Sequence, residues 1–523
     1  MNKEPKTSGR YWRRAVFVMV CLATVVALFY AEEDWRGRHA WDQFRREAET
    51  RGEYFDLSMV TPPPVPDDQN FAMTPVVSSS YESYIDRTGH AIWPWKTNVI
   101  NRLSMYYWAP GDDVSLGLCD WTAGKHTDLT TLQHYYRTLS AKTNLFPVPT
   151  QPQSPAADVL LALSRYAPAI EEVRSAAQLP YARFPLEYDK DNPFEIRLPH
   201  LAALKFCTDT LSLRATAELQ MGQTNQAMED VRLMVRLTES VRSEPFLITH
   251  LVRISLVQLM LQPVWEGLAE HRWTDAQLAE LDAGLAKLDF LADYQNTLHN
   301  EQAATVKGLD YLRRHPDQYL HLGEGWGWSP PVAPNSDFIM AALAECRMIP
   351  SGWFYQNQLR YNQVIDEFYL PAVNLQTRTY APALAKQGDA LTAREREHLS
   401  PYNIMGCILL SYAEALQYTR SFAHGQSSAD LARVAMALER CRLAHGKYPN
   451  SLETLAPQYM AEVPHDVIGG QPLHYRLTED GQFALYSVGW NETDDGGMVV
   501  MKGNQTPFQD SSQGDWVWRY PPK

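Results

Sequence analysis

Residues 15–31 read AVFVMVCLATVVALFYA, an uncharged and mostly apolar run. It limits what the chain can become more than any other feature. At ~1.5 Å per residue it makes a helix of roughly 25 Å, the short end of what crosses a bilayer. Lys3, Lys6, Arg10, Arg13 and Arg14 precede it, and Glu32, Glu33 and Asp34 follow at once. Positive charge stays on the cytoplasmic side, so residues 1–14 are expected inside, 15–31 in the membrane and the rest outside the cytoplasm. Tyr11, Trp12 and Tyr30 stand where interfacial aromatics belong. A cleaved signal peptide is the rival reading. Its exit would need small residues where Phe29 and Tyr30 stand, and Met19-Val20 before Cys21 is a poor lipoprotein signal.

The chain is too long for one ordinary core: 523 residues predict two or three domains. The net charge is −14, and no long basic run follows the first residues. That argues against nucleic acid as a partner, because phosphate binding needs clustered Lys and Arg. The 15 Trp and 27 Tyr are scattered and read as core anchors. Outside the run stand Cys119, Cys207, Cys346, Cys407 and Cys441, none at a metal-ligand spacing, so no zinc site is expected.

Residues 32–52 have helix formers and no proline, which predicts a charged stalk continuing the span. Pro62, Pro63, Pro64 and Pro66 then break it, so 32–71 reads as stalk and proline-rich linker. Residues 72–150 are expected to wrap irregularly with short helices. From about 156 to 423 the apolar spacing is helical, giving a mainly helical domain over 72–426. Gly222 separates two helices there, and Ala217, Leu219, Gly222 and Ala227 resemble the spacing of tetratricopeptide helix pairs. Thr274 is an expected N-cap for a helix carrying Leu278, Leu281, Leu285 and Leu288. FLITHLVRISLVQLML contains His250 and Arg253, so it reads as a buried core helix and not a second span.

Catalytic signatures are missing: there is no HExxH, GxSxG, P-loop or EF-hand loop. GEGWGW is followed by Ser329-Pro330-Pro331 where a phosphate-binding helix would begin, so it is read as a loop. His299 and Glu301, two apart on an expected helix, face different ways and read as solvated surface. His445, His465 and His474 could in principle bind a metal but repeat no ligand spacing, and read as turn and strand residues. No catalytic residue is assigned.

The last 97 residues have a pattern of their own. An amphipathic helix over 428–445 should place Leu431, Val434, Leu438 and Cys441 on one side and stop at Gly446. GKYPNSLETL follows, with Ser451 as a cap for a short helix. HDVIGGQPLHY, a hairpin turning at Glu479-Asp480-Gly481, LYSVGWNETDDGG and a final strand in GDWVWRYP complete it. This order resembles the C-terminal domain of type II secretion major pseudopilins, over roughly residues 428–518. The rest resembles large membrane-anchored bacterial envelope proteins that carry such a tail and have no assigned activity. Two departures stand out. Some 400 residues separate tail from anchor, and Gly9 is followed by RYWRRAVF, without the Glu that follows a prepilin cleavage site. The resemblance implies a calcium ion near Asp494, Asp495 and Asp515. The residues alone read Asp494-Asp495-Gly496-Gly497 as a tight solvated turn.

The expected protein is mainly α. It has one N-terminal transmembrane helix, a helical, repeat-like body and a small α+β pseudopilin-like domain over 427–523. It sits in the bacterial inner membrane with its bulk periplasmic, its partners being the membrane and envelope or secretion proteins. A non-enzymatic scaffold is the leading reading. A membrane-anchored hydrolase of envelope polymers, using paired carboxylates, is the alternative, with an accessory part of a secretion or pilus system the third.

Overall fold

The charged exit of the apolar run does not end the helix: α1 continues unbroken from Ser8 to Thr50. In the computed structural model, residues 8–81, 84–85, 91–92, 102–109, 120–321, 347–397, 416–502 and 509–521 are described. The GEGWGW loop and Cys119, Cys346 and Cys407 lie outside them.

Helices α2 (Pro75–Ser78), α3 (Leu129–Thr143), α4 (Pro155–Leu163) and α5 (Ala167–Ala176) precede a long central group. That group comprises α6 (Pro199–Gln220), α7 (Thr224–Ser240), α8 (Leu247–Ala269), α9 (Asp275–Leu285) and α10 (Phe290–Arg314). Helices α11 (Ser351–Val364), α12 (Pro382–Glu397) and α13 (Leu416–His445) follow. The molecule is mainly helical, with an apolar N-terminal helix and a small C-terminal sheet region.

Most local signals fold as the sequence predicts. Gly222 takes a φ of +73° between α6 and α7, the left-handed turn that costs glycine least. Thr274 caps α9 through a full capping box with Gln277. Gly446, φ +77°, ends α13. Ser451 precedes a short 3-10 turn, Leu452–Leu455, without capping it through its side chain. Leu278, Leu281, Leu285 and Leu288 are buried. Helices α1 and α8 are both long and apolar enough to cross a membrane, but α8 is mostly buried inside the protein, whereas the apolar stretch of α1 is not.

Beyond Ala31 the expected charged stalk is docked on the body. Helix α1 crosses α11 glycine to glycine: a Cβ built on Gly37 would overlap the Gly352 carbonyl, and one on Gly352 would overlap the Glu33 carbonyl. The crossing is tied by polar contacts. The Gly352 N–H donates to Asp34 Oδ1 at 2.7 Å, and the Trp353 indole N–H donates to Glu33 Oε2 at 3.0 Å. The Tyr30 hydroxyl donates to the Met348 carbonyl. Farther along, Trp41, Phe44 and Ala48, with Phe55, pack on Val306, Tyr355 and Leu359. The proline-rich stretch is also bound down: Arg183 Nε donates to the Pro62 carbonyl at 2.9 Å, and Phe71 and Ala72 are fully buried.

In the tail, strands β1 (His474–Leu477), β2 (Phe483–Ser487) and β3 (Trp516–Arg519) form an antiparallel sheet in the order β1-β2-β3. Leu485 pairs with Tyr475 on one side and Trp518 on the other. A second antiparallel pair joins Val499–Met501 to Gln509–Gly514. The expected boundary at 426/427 falls inside α13. That helix is buried well beyond one stripe, including Ala429, Leu431, Ala435, Met436 and Leu438. It packs against α8, α9 and α10 and also against β2 and β3. One hydrophobic core therefore runs from Phe71 through Trp265 and Leu438 to Trp518. Trp121 and Trp518 approach to 5.2 Å, and the Trp265 indole N–H donates to the Arg519 carbonyl at 3.0 Å.

Candidate functional site

The docked end of α1 creates the first candidate. Helix α11 does not finish as an α-helix: Ile365–Tyr369 form a π-helical turn, a widening of the helix common at functional sites. Opposite it the chain turns back at Gly52, φ +89°. Between them lies an open groove of about 570 Å³. Phe44, Glu47, Arg51 and Glu53 line one wall, and Gln363, Asp366, Glu367 and Leu370 the other. Four carboxylates thus face one guanidinium.

Asp366 is half-buried and links two partners. Gln302 Nε2 donates to its Oδ1 at 2.7 Å, and Arg51 Nη2 to its Oδ2 at 3.2 Å. Burial lifts Asp366 above the ordinary carboxylate range, and the Gln302 hydrogen bond and Arg51 charge pull the other way. Behind Gln302 stands His299, its Nδ1 3.2 Å from the Gln302 Oε1. Arg51 Nε also donates to Glu53 Oε1 at 2.7 Å. Such a groove could attract a cationic group. Acid–base chemistry on a glycosidic bond needs two carboxyl groups free to face it; here both oxygens of Asp366 and one of Glu53 are engaged within the protein.

His299 and Glu301 do face different ways, but Glu301 is not a solvated surface group. Its Oε1 accepts the Leu247 N–H at 2.7 Å at the start of α8, and burial pushes its carboxyl up to about 7. The helix terminus that it caps is what brings it inward.

The tail acids do converge on one loop. Asp515, between the last two strands, is fully buried. Its Oδ1 accepts the Asp495 N–H at 3.2 Å, and its Oδ2 accepts those of Gly497 at 2.6 Å and Met498 at 3.3 Å. Gly496 and Gly497, both at positive φ, shape this stretch of backbone into a nest for a carboxylate. Burial raises the Asp515 carboxyl despite these donors. Asp494 is exposed; its Oδ1 accepts the Gly496 N–H at 2.9 Å and its Oδ2 lies 3.4 Å from His474 Nδ1. Asp495 Oδ2 accepts from Asn491 at 2.8 Å. Calcium wants six to eight oxygens, whereas here N–H groups point at the central carboxylate. As arranged, the residues do not fit a calcium ion, and the loop is a turn built around Asp515.

The three tail histidines are separate. His445 Nε2 meets the Tyr459 hydroxyl at 3.1 Å, His465 Nε2 the Thr377 carbonyl at 3.0 Å, and His474 stacks on Tyr486 with centroids 4.8 Å apart. Among the described residues, no group of three or more His, Cys, Asp or Glu is placed to hold a metal ion.

One constellation escaped the sequence reading. His200 Nε2 lies 2.7 Å from Glu244 Oε1, and Thr249 Oγ1 donates to Glu244 Oε2 at 2.7 Å. His250 Nε2 lies 3.0 Å from the Glu244 carbonyl, and burial pushes that imidazole down to about 4. His200 stacks on Phe184, centroids 4.1 Å apart. The parts come from three separate segments, so no local motif could signal them. His200, Glu244 and His250 are 0%, 3% and 4% exposed, and the cluster joins α6 to the α7–α8 link as buried packing. No family model matches this chain, and neither do any curated protein or solved structure.

Proposed function

We propose that this is a single-pass, membrane-anchored protein of the bacterial envelope that acts as a non-enzymatic scaffold. Its N-terminus is cytoplasmic, its body periplasmic, and its partners are envelope or secretion proteins. One observation carries the reading: α1 is a single helix whose first part is apolar and exposed while its second part is locked into the body. A chain built only for tethering would need no such lock. A rigid joint between span and body suits a protein that holds other components at a set place. The pseudopilin-like tail is part of this reading as a reused module. The order of its hairpin and final strand supports the resemblance, and its shared core makes it a wall of the body. The engaged oxygens of Asp366 weigh against the hydrolase reading.

Proteolysis of spheroplasts tests the orientation. Residues beyond 31 should be cut from outside while an N-terminal tag survives; the reverse pattern refutes it. Incubating the purified protein with envelope polymers tests the scaffold reading. Release of soluble fragments that is lost in Asp366→Asn would replace it with the hydrolase.

A further inference from the structure

The lock between α1 and α11 fixes more than the body's attachment. Side chains on a helix lean toward its N-terminus. The Tyr30 hydroxyl, which donates to the Met348 carbonyl, therefore reaches back alongside the last turn of the apolar run. Met348 is held at that level from both sides, because Gly352, four residues on, is pinned to Glu33 and Asp34. The Met348 residue is 49% exposed and the Arg347 side chain 67% exposed. Trp35, one helical turn beyond Ala31, is 67% exposed and stacks on His39 at 5.4 Å.

We propose that the Arg347–Met348 edge of the body lies in the phospholipid headgroup layer, so that the bilayer is bound by a peripheral surface as well as by the span. This inference rests on the anchor reading of residues 15–31. The chemistry suits that occupant. An apolar thioether enters the upper acyl region, and an exposed arginine that lays its stem along the lipid holds its head at phosphate level. An indole sits at the interface, where its ring is apolar and its N–H is wet. Arg347 keeps an ion pair with Asp317 at 3.2 Å, which orients the guanidinium and leaves its exposed side for phosphate. Two contacts, one spanning and one lateral, would set the tilt of the body as well as its height.

The test uses the full chain in phosphatidylcholine nanodiscs, with the photocrosslinker p-benzoylphenylalanine placed singly at Leu22, Met348 or Arg46. Leu22 is exposed within the apolar run, and Arg46 is exposed farther along the same helix, ~22 Å beyond Ala31. Lipid adducts from Leu22 and Met348, with none from Arg46, are expected. Adducts from Leu22 but none from Met348 would overturn the headgroup contact and leave the anchor standing. A Met348 crosslink to a second copy of the chain would overturn it in favour of a protein interface. Loss of adducts at Leu22 would remove the anchor reading, and the inference with it.

Discussion

At the scale of single residues, short-range chemistry was readable and long-range chemistry was not. Thr274, Gly222 and Gly446 act on backbone within a few positions, and each does what its type dictates. Glu301 and Asp515 depend on partners 54 and about 20 positions away, so their roles appear only in the fold. Asp515→Ala should leave three backbone N–H groups without their acceptor and destabilise the protein by about 1–3 kcal/mol. Asp494→Asn, at an exposed carboxylate, should cost measurably less. Thermal unfolding of both variants in detergent checks the order, and equal losses would contradict the buried-nest account. Glu301 gives a pH signature. Its folded-state carboxyl titrates at about 7, above the ordinary Glu value. The folded state thus keeps a proton that the unfolded chain has already released. This contribution is fully present below the unfolded value and is lost as pH rises through about 7. Glu301→Gln should therefore gain stability relative to the wild type between pH 5 and 8, measured by urea unfolding at each end. A constant difference would mean that the carboxyl is ionised throughout.

At the scale of elements, the sequence declared the existence of α1 but not what its second half does. Charge dominates residues 32–52, yet Trp41, Phe44 and Ala48 mark an apolar stripe at helical spacing that the body covers. Nothing in the sequence around Gly37 marks it; its neighbour across the crossing shows why a side chain cannot stand there. Gly352→Val would drive a branched side chain into the α1 backbone. Overpacking costs typically about 1–3 kcal/mol, and here the obstacle is main chain rather than a movable side chain. The expected result is a stalk that separates from α11 and becomes open to protease at Arg45 and Arg46 while the rest resists. Unchanged protection there would mean that the crossing tolerates more space than its geometry shows.

For the whole molecule, the two-part division anticipated at 426/427 follows from a real change of sequence pattern, from long helical periodicity to short alternating strands. Pattern does not report what a helix packs against, and α13 belongs to both sides. Leu431, Val434 and Leu438 share a core with Trp265 as well as with Phe483 and Trp518. A chain ending at Gln426 would lose much of that core, so it should fail to fold rather than yield a shorter working body. Loss of near-ultraviolet circular dichroism and of protease resistance would show this; a stable, protected fragment would restore the modular picture. The groove at Asp366 was equally hidden, because its walls come from residues 44–53 and 363–370, brought together only by the docking of α1.

That docking also gives the molecule an angular phase. Because no loop separates the apolar run from Glu33, a helix advancing ~100° per residue converts linear sequence into rotation. One residue inserted between Ala31 and Glu32 would swing the apolar run about a quarter-turn around its axis and carry Tyr30 away from Met348. Four would bring it nearly back, one turn farther out. Such a chain should therefore respond to insertions at this point periodically rather than in proportion to their length, as a keyed shaft does and a rope does not.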